Sequence, residues 1–404
     1  QHLRLPNHGD VFAGGLEAVY GPLPQAGYLP HVVISKILPF WDVAITARLG
    51  SLMMGISLVW AAYFLARELY PNNRLACRAL PLAIAFHPQM VFLDSYTNCD
   101  ATAAAASGFI FLLVVRMIRR GLNLWSCCAF GILSGLAVLS KYAALSVVAA
   151  TGLGLISAGL LNGSSLAMIA SAIGVSAASF AASCGWWFVR ELQQYPNDLL
   201  GTKTMRSIWA AAVNKPMVYN SGVWSVIRNF KWWRLLYFSF WGLFDNMTRY
   251  LPKPVYCTYF AFMFIAIAGG VSRLKTVPEL VGLTVERFRA KRVKDVSTEH
   301  LEKLQYVAIY KMFALSIIIN LAAIVWSESI NLGGAQGRYL FVNELPIFAL
   351  TISGIMALKE RYRALLLWAF LIFSLFTYLL SLGMMAWKYG FHLSPYYFVP
   401  EFLK

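Results

Sequence analysis

A chain of 404 residues that is 59% hydrophobic and 13% charged, with a mean hydropathy of +0.61, has too little polar surface to fold as a water-soluble globule, so lipid is its main solvent. The net charge of +16 does not indicate a nucleic-acid partner, because Lys and Arg fall in short clusters between apolar runs, a pattern that sets membrane orientation. The six cysteines, Cys77, Cys99, Cys127, Cys128, Cys184 and Cys257, show no metal-ligand spacing, and most lie inside apolar runs as small core residues.

The chain opens without an initiator Met on a polar stretch, Gln1 to Asp10, which implies either processing or an upstream stretch. The opening segment, 1–42, carries the acids Asp10 and Glu17 and the histidines His2, His8 and His31, whose spacing is not that of a zinc site. Apolar runs of about twenty residues, enough to cross a bilayer, follow at roughly 43–66, 76–93, 99–118, 122–140, 142–161, 165–189, 254–272, 306–327, 338–358 and 363–387. They predict an all-α polytopic bundle of about ten spans. Pro81 and Pro88 interrupt the second run, and Trp and Tyr gather at run ends, where an interfacial belt sits.

Lys and Arg counts orient the bundle. Arg67, Arg74 and Arg78, then Arg116, Arg119 and Arg120, the cluster from Arg273 to Lys303, and Lys359, Arg361 and Arg363 are all expected on the cytoplasmic side, and the intervening spans alternate consistently. The resulting layout is an outer-face loop (1–42), an N-terminal transmembrane core of about six spans (43–189), and an outer-face interfacial segment rich in Trp (190–253). A single span (254–272), a cytoplasmic basic amphipathic segment (273–305), the C-terminal spans (306–387) and an outer-face tail (388–404) complete it.

Three polar constellations then fall on the outer face. The turn Asp94-Ser95-Tyr96-Thr97-Asn98-Cys99-Asp100 offers two carboxylates and an amide. Asp100 fits a helix N-cap, but capping accounts for only one of the acids; a carboxylate at the membrane surface can also act as a general base or hold a divalent metal, although no spacing here indicates a metal. Lys141 interrupts the apolar stretch from Leu122 to Leu161. A cation at lipid depth is costly; it either snorkels at a helix hairpin or meets a phosphate. The glycine-rich turn Gly333-Gly334-Ala335-Gln336-Gly337-Arg338-Tyr339-Leu340 runs into a span, where a helix N-terminus and a guanidinium both suit an anion. Arg48, about one turn inside the first span, is a further candidate for a phosphate or carboxylate partner, and the role of Asp245 is left open.

The order of these motifs, from Ala47-Arg48-Leu49 through Pro88, Asn98-Cys99-Asp100, Leu139-Ser140-Lys141-Tyr142 and Ser239-Phe240-Trp241-Gly242 to Gln336-Gly337-Arg338-Tyr339-Leu340, resembles the GT-C superfamily of membrane glycosyltransferases, closest to an uncharacterised bacterial branch. The resemblance implies a GT-C-like bundle with outer-face interfacial helices, whose first span would lie upstream of Gln1. It also implies transfer of a sugar from a polyprenyl-phosphate-type carrier to an acceptor on the non-cytoplasmic face of a bacterial inner membrane. On that reading the lipid-linked donor and membrane lipids are the partners. Asp100, Asp94, Asp10 and Glu17 are the candidate catalytic acids, Lys141, Arg338 and Arg48 contact the carrier phosphate, and Asn98, Gln336 and Tyr339 bind substrate. Asp94 in its turn, and Asp245 where the branch often has Gly, depart from the pattern. A transporter or flippase of a lipid-linked or anionic substrate, or a non-catalytic GT-C-like subunit, is the alternative.

Overall fold

In lipid every backbone polar group must be satisfied within the chain, so apolar runs of this length become helices. The computed structural model describes residues 23–24, 26–39, 42–212, 222–245, 247–274, 298–330 and 335–389, and among these it is almost entirely α-helical. Chain order gives α1 (Leu29–Ile37), α2 (Val43–Leu69), α3 (Arg74–Ala85), α4 (Pro88–Asp94), α5 (Asp100–Arg120), α6 (Leu124–Ser140), α7 (Leu145–Leu161) and α8 (Leu166–Phe180). A π-helical turn, Ala181–Gly185, joins α8 to α9 (Trp186–Gln194). Then follow α10 (Thr202–Ala212), α11 (Val223–Arg228), α12 (Phe230–Trp241), a two-stranded hairpin of β1 (Leu243–Phe244) and β2 (Arg249–Tyr250), α13 (Lys253–Leu274), α14 (Thr298–Ile330), α15 (Glu344–Met356) and α16 (Glu360–Tyr389). Local signals set several starts: Asn73, Asn123 and Ser165 accept from backbone N–H groups in the first turns of α3, α6 and α8.

The chain is an integral membrane protein: eight of its described helices are long and apolar enough to span a bilayer. All ten expected runs are helical, but two fall short of a regular span. The second is broken into α3 and α4 with a bend of 54°. Pro81 stays inside α3, and the break comes at Phe86 and His87, where Pro88 opens α4 at a position that needs no N–H donor. The other is α6, which has 17 residues. A further boundary moves: Thr298 already belongs to the α14 span helix, so 298–305 continue that span instead of forming a separate amphipathic element. The remainder of the expected basic segment, 275–297, lies outside the described residues, as does the tail beyond 389.

Helix α5 is the hub. Its opening, Asp100-Ala-Thr-Ala-Ala-Ala-Ala-Ser-Gly, lacks bulk, so α2, α6 and α7 all pack closely against it, as small residues allow where no hydrophobic drive exists between helices. The 3₁₀ turn Gly337–Asn343 packs on the same helix and on α12. The hairpin after α12 is tied down by buried partners: Leu243 N donates to Gln89 Oε1 (2.6 Å), the Tyr256 hydroxyl donates to Gly242 O (2.5 Å), and Trp241 stacks on Tyr259 with ring centroids 3.9 Å apart. The Trp-rich segment expected along the interface is therefore, in its second half, anchored into the bundle.

Candidate functional site

The turn between α4 and α5 is organised by Asn98. Its Oδ1 accepts from Asp100 N (2.8 Å) and Ala101 N (3.1 Å), while its Nδ2 donates to Leu93 O (2.5 Å) and Tyr96 O (2.9 Å). An amide has two donors and two acceptor lone pairs, so Asn98 is saturated by its own turn. This leaves its side chain no spare donor or acceptor in this structure. It also transfers the capping role from Asp100 to Asn98, leaving the Asp100 carboxylate available for another partner.

That partner is Lys141. Helix α6 ends there with extended backbone (φ −163°, ψ 129°), which carries the side chain off the helix axis, and its ammonium donates to Asp100 Oδ1. The pair is enclosed, with side-chain exposures of 5% for Asp100 and 16% for Lys141. Lys141 Nζ also lies 4.9 Å from the centroid of the Tyr339 ring.

Arg338 reaches the same place from the C-terminal half. Gly337 N donates to Ser239 Oγ (2.7 Å), and a Cβ at Gly337 would collide with the backbone of Phe240, so only glycine lets this turn settle on the end of α12. Asn320 Nδ2 holds the Tyr339 carbonyl at 3.0 Å from the α14 side. The glycine-rich turn runs into a span, Gly337–Met356, as expected, but that span opens with the 3₁₀ turn Gly337–Asn343, and its α-helix, α15, begins only at Glu344. Arg338 thus contributes through its guanidinium and not through the N-terminus of an α-helix. The guanidinium feels the Asp100 charge, faces the Tyr96 and Tyr339 hydroxyls, and leaves Nε buried without a hydrogen-bond partner among the described residues.

One carboxylate therefore pairs with Lys141 and lies within electrostatic range of Arg338, and the site keeps a surplus positive charge with a spare N–H donor. Tyr28, Tyr96 and Cys99 complete its wall. Burial pushes the Tyr28 hydroxyl up to about 12, with further increases from Cys99 and Asp100. Burial also raises Tyr96, against the lowering pull of Arg338. Cys99 is raised by burial and by the Asp100 charge, which keeps it a thiol and unsuited to act as a nucleophile. The segment before α1 and α1 itself are fastened over this wall: Thr102 Oγ1 donates to Gly27 O (2.6 Å), and His31 of α1 sits between Ala47 O (Nδ1, 2.6 Å) and Asn98 O (Nε2, 2.9 Å). His31 is a brace, and among the described residues no group of His, Cys, Asp and Glu is arranged to hold a metal.

The other expected residues are dispersed. Asp94 ends α4 wedged against Gly55, where any larger residue would strike its carboxylate, and its Oδ1 has no hydrogen-bond partner among the described residues. Arg48 is exposed on α2 and Gln336 is half-buried, and neither side chain bonds to a described residue. Asp245 shapes the hairpin turn at φ 53°, its Oδ2 accepting from Thr248 Oγ1 (3.0 Å). Asp10 and Glu17 lie outside the described residues.

Two groups were missed in the sequence. His87, at the α3–α4 break, has Nδ1 2.7 Å from Glu344 Oε1 and Nε2 2.8 Å from Phe240 O, and both side chains of the His87–Glu344 pair are fully buried. A carbonyl only accepts, so Nε2 carries its proton and a second proton is shared between Nδ1 and Oε1; the pair is neutral overall. Phe240, Trp241, Phe341 and Phe348 surround the imidazole. Glu344 Oε2 has no partner among the described residues, and Asp94 lies close enough to feel its charge. The rule that singled out Lys141, an ionisable group in an apolar run, applies equally to Glu344 between Val342 and Leu345. Comparison with protein-family models, with curated proteins and with solved structures finds no match for this chain.

Proposed function

We propose that this chain is a GT-C-like membrane glycosyltransferase that moves a sugar from a polyprenyl-phosphate-type carrier to an acceptor on the non-cytoplasmic face, in a bacterial inner membrane with the site toward the periplasm. The observation that carries the reading is the convergence of Lys141 and Arg338 on Asp100, with one positive charge in surplus and Arg338 Nε unpartnered. A carrier phosphate supplies the missing negative charge. As it enters, Lys141 exchanges carboxylate for phosphate and Asp100 is released. The acceptor hydroxyl then attacks the anomeric carbon, its proton passes to Asp100, and the bond from that carbon to the phosphate oxygen breaks. The charge that develops on the leaving phosphate is stabilised by the two cations, and a single displacement inverts the configuration. The donor arrives dissolved in the bilayer, so no nucleotide-binding domain is required.

The test is reconstitution of the full chain in liposomes with a panel of polyprenyl-phosphate-linked monosaccharides, following release of the polyprenyl phosphate. Asp100→Asn and Lys141→Ala should each abolish most of the release while the protein remains folded; release unaffected by both variants would overturn the reading. A second reading, a transporter or flippase, is favoured by the broken span α3–α4 with His87 at its break and by the buried Glu344 and Asp94, since interrupted helices and intramembrane ionisable groups are how such proteins hold substrates and ions. Movement of an intact lipid-linked sugar across the liposome membrane, without release of carrier phosphate, would decide for it.

A further inference from the structure

At the opposite end of the bundle lies a second charged cluster, which the reading above does not use. The pair of helices that meet near Asp100, α2 and α5, end together there, about 24 Å further along α5 at Arg116. Between them opens a polar cavity of about 250 Å³, lined by Phe64, Arg67, Glu68, Arg116 and Arg120. Glu68, with a side-chain exposure of 12%, accepts from Arg116 Nε (3.1 Å) and Arg120 Nη2 (2.5 Å). Arg67 lies over the Tyr63 ring, 5.9 Å from its centroid, and Arg116 over Phe64 at 5.7 Å. Three guanidiniums against one carboxylate leave the cavity strongly positive, and the planar fork of Arg suits phosphate oxygens.

What lies below the cavity identifies the ligand further. Met53, Ile56, Trp60, Tyr63 and Phe64 recur on α2 at intervals of three and four residues, forming one stripe that ends at Arg67, and all five side chains are exposed, Trp60 at 64%. The stripe runs about 21 Å from Met53 to Arg67, more than one leaflet's share of a hydrocarbon core about 30 Å thick. A free phosphate would use the cavity and leave the stripe bare, whereas a phospholipid fills both.

We infer that this cavity is a binding site for an anionic phospholipid of the cytoplasmic leaflet, with the phosphodiester on Arg67, Arg116 and Arg120 and an acyl chain along the α2 stripe. The arginine-rich end is assigned to the cytoplasm by the distribution of positive charge, and basic pockets between helices on that side take anionic headgroups. Glu68 holds two of the guanidiniums in place and competes with the ligand for them. The site is independent of the proposed transferase chemistry.

Native mass spectrometry of the full chain in detergent, with added phosphatidylglycerol, phosphatidylcholine or inorganic phosphate, tests the inference. Phosphatidylglycerol should be retained in preference to phosphatidylcholine, and inorganic phosphate should not displace it. The double variant Arg67→Gln/Arg116→Gln should lower phosphatidylglycerol retention by about tenfold or more. The variant Arg361→Gln/Arg363→Gln, at another basic cluster, should leave retention unchanged. Glu68→Gln removes the competing carboxylate and should raise retention, a gain that misfolding cannot produce. Equal loss from the two arginine pairs, no preference over phosphatidylcholine, displacement by phosphate, or reduced retention in Glu68→Gln would each overturn it.

Discussion

Helix α5 has an ion pair at each end, and the two differ in their surroundings. Asp100 and Lys141 are 5% and 16% exposed, enclosed by Tyr28, Tyr96, Cys99, Arg338 and Tyr339. Glu68 meets Arg116 and Arg120, whose side chains are 39% and 66% exposed. Desolvating a pair costs about as much as its attraction returns, so an enclosed pair adds little net stability, whereas removing one partner of it is severe. Exposed pairs are each worth roughly 0–1 kcal/mol and forgive substitution. Acid–base pairs therefore behave differently at the two ends: the first end trades stability for a preset charge arrangement, and the second leaves its arginines open to their surroundings.

The largest effect expected from this contrast is at His87 and Glu344, the most enclosed pair among the described residues. Glu344→Leu alone should destabilise the protein by about 3–5 kcal/mol, the range for breaking a buried pair, measured by unfolding in detergent. The double change His87→Phe/Glu344→Leu should recover much of that loss, and equal destabilisation in both variants would show that packing, not pairing, decides there. Next in size, Lys141→Ala should lower carrier-phosphate release about 10²–10³-fold, the cost of losing one donor that stabilises developing charge. Its apolar partner variant Asp100→Leu/Lys141→Met should restore thermal stability without restoring turnover. Recovery of both would mean that the pair is merely structural.

Much of this contrast was legible in the sequence. Lys141 and Arg338 stand out because a charge inside or beside an apolar run is costly wherever it lies, and the positive clusters alone assign Asp100, Lys141 and Arg338 to one end. The structure brings those three together. The saturation of Asn98 was not legible, because it depends on carbonyls whose directions only the folded turn sets. Nor was the His87–Glu344 partnership, whose members lie 257 positions apart and meet only once α15 packs on α3. Length counting saw the fourth run as an ordinary span, and Pro81 and Pro88 marked the second as interrupted without fixing where it breaks. The break at His87 comes from the end of one helix and a fresh start at Pro88, and the shortness of α6 comes from where Lys141 leaves the helix.

Two smaller effects sharpen the comparison. Burial raises the Cys99 thiol most, the Asp100 charge raises it further, and Lys141 and Arg338 pull it down. Asp100→Asn removes one of the two raising influences and leaves burial and the lowering ones, so more thiolate forms at a given pH. Maleimide labelling of Cys99 at pH 8, in a variant retaining no other cysteine, should accelerate severalfold, and an unchanged rate would show that Asp100 does not reach the thiol electrostatically. At the other end, Arg116→Gln should alter thermal stability by less than about 1 kcal/mol, since Glu68 keeps Arg120 and water as partners. If Arg116→Gln instead cost as much as Glu344→Leu, exposure would not govern the value of these pairs. The distinction between an enclosed site preset for chemistry and an open one free to bind a lipid would then lose its physical basis.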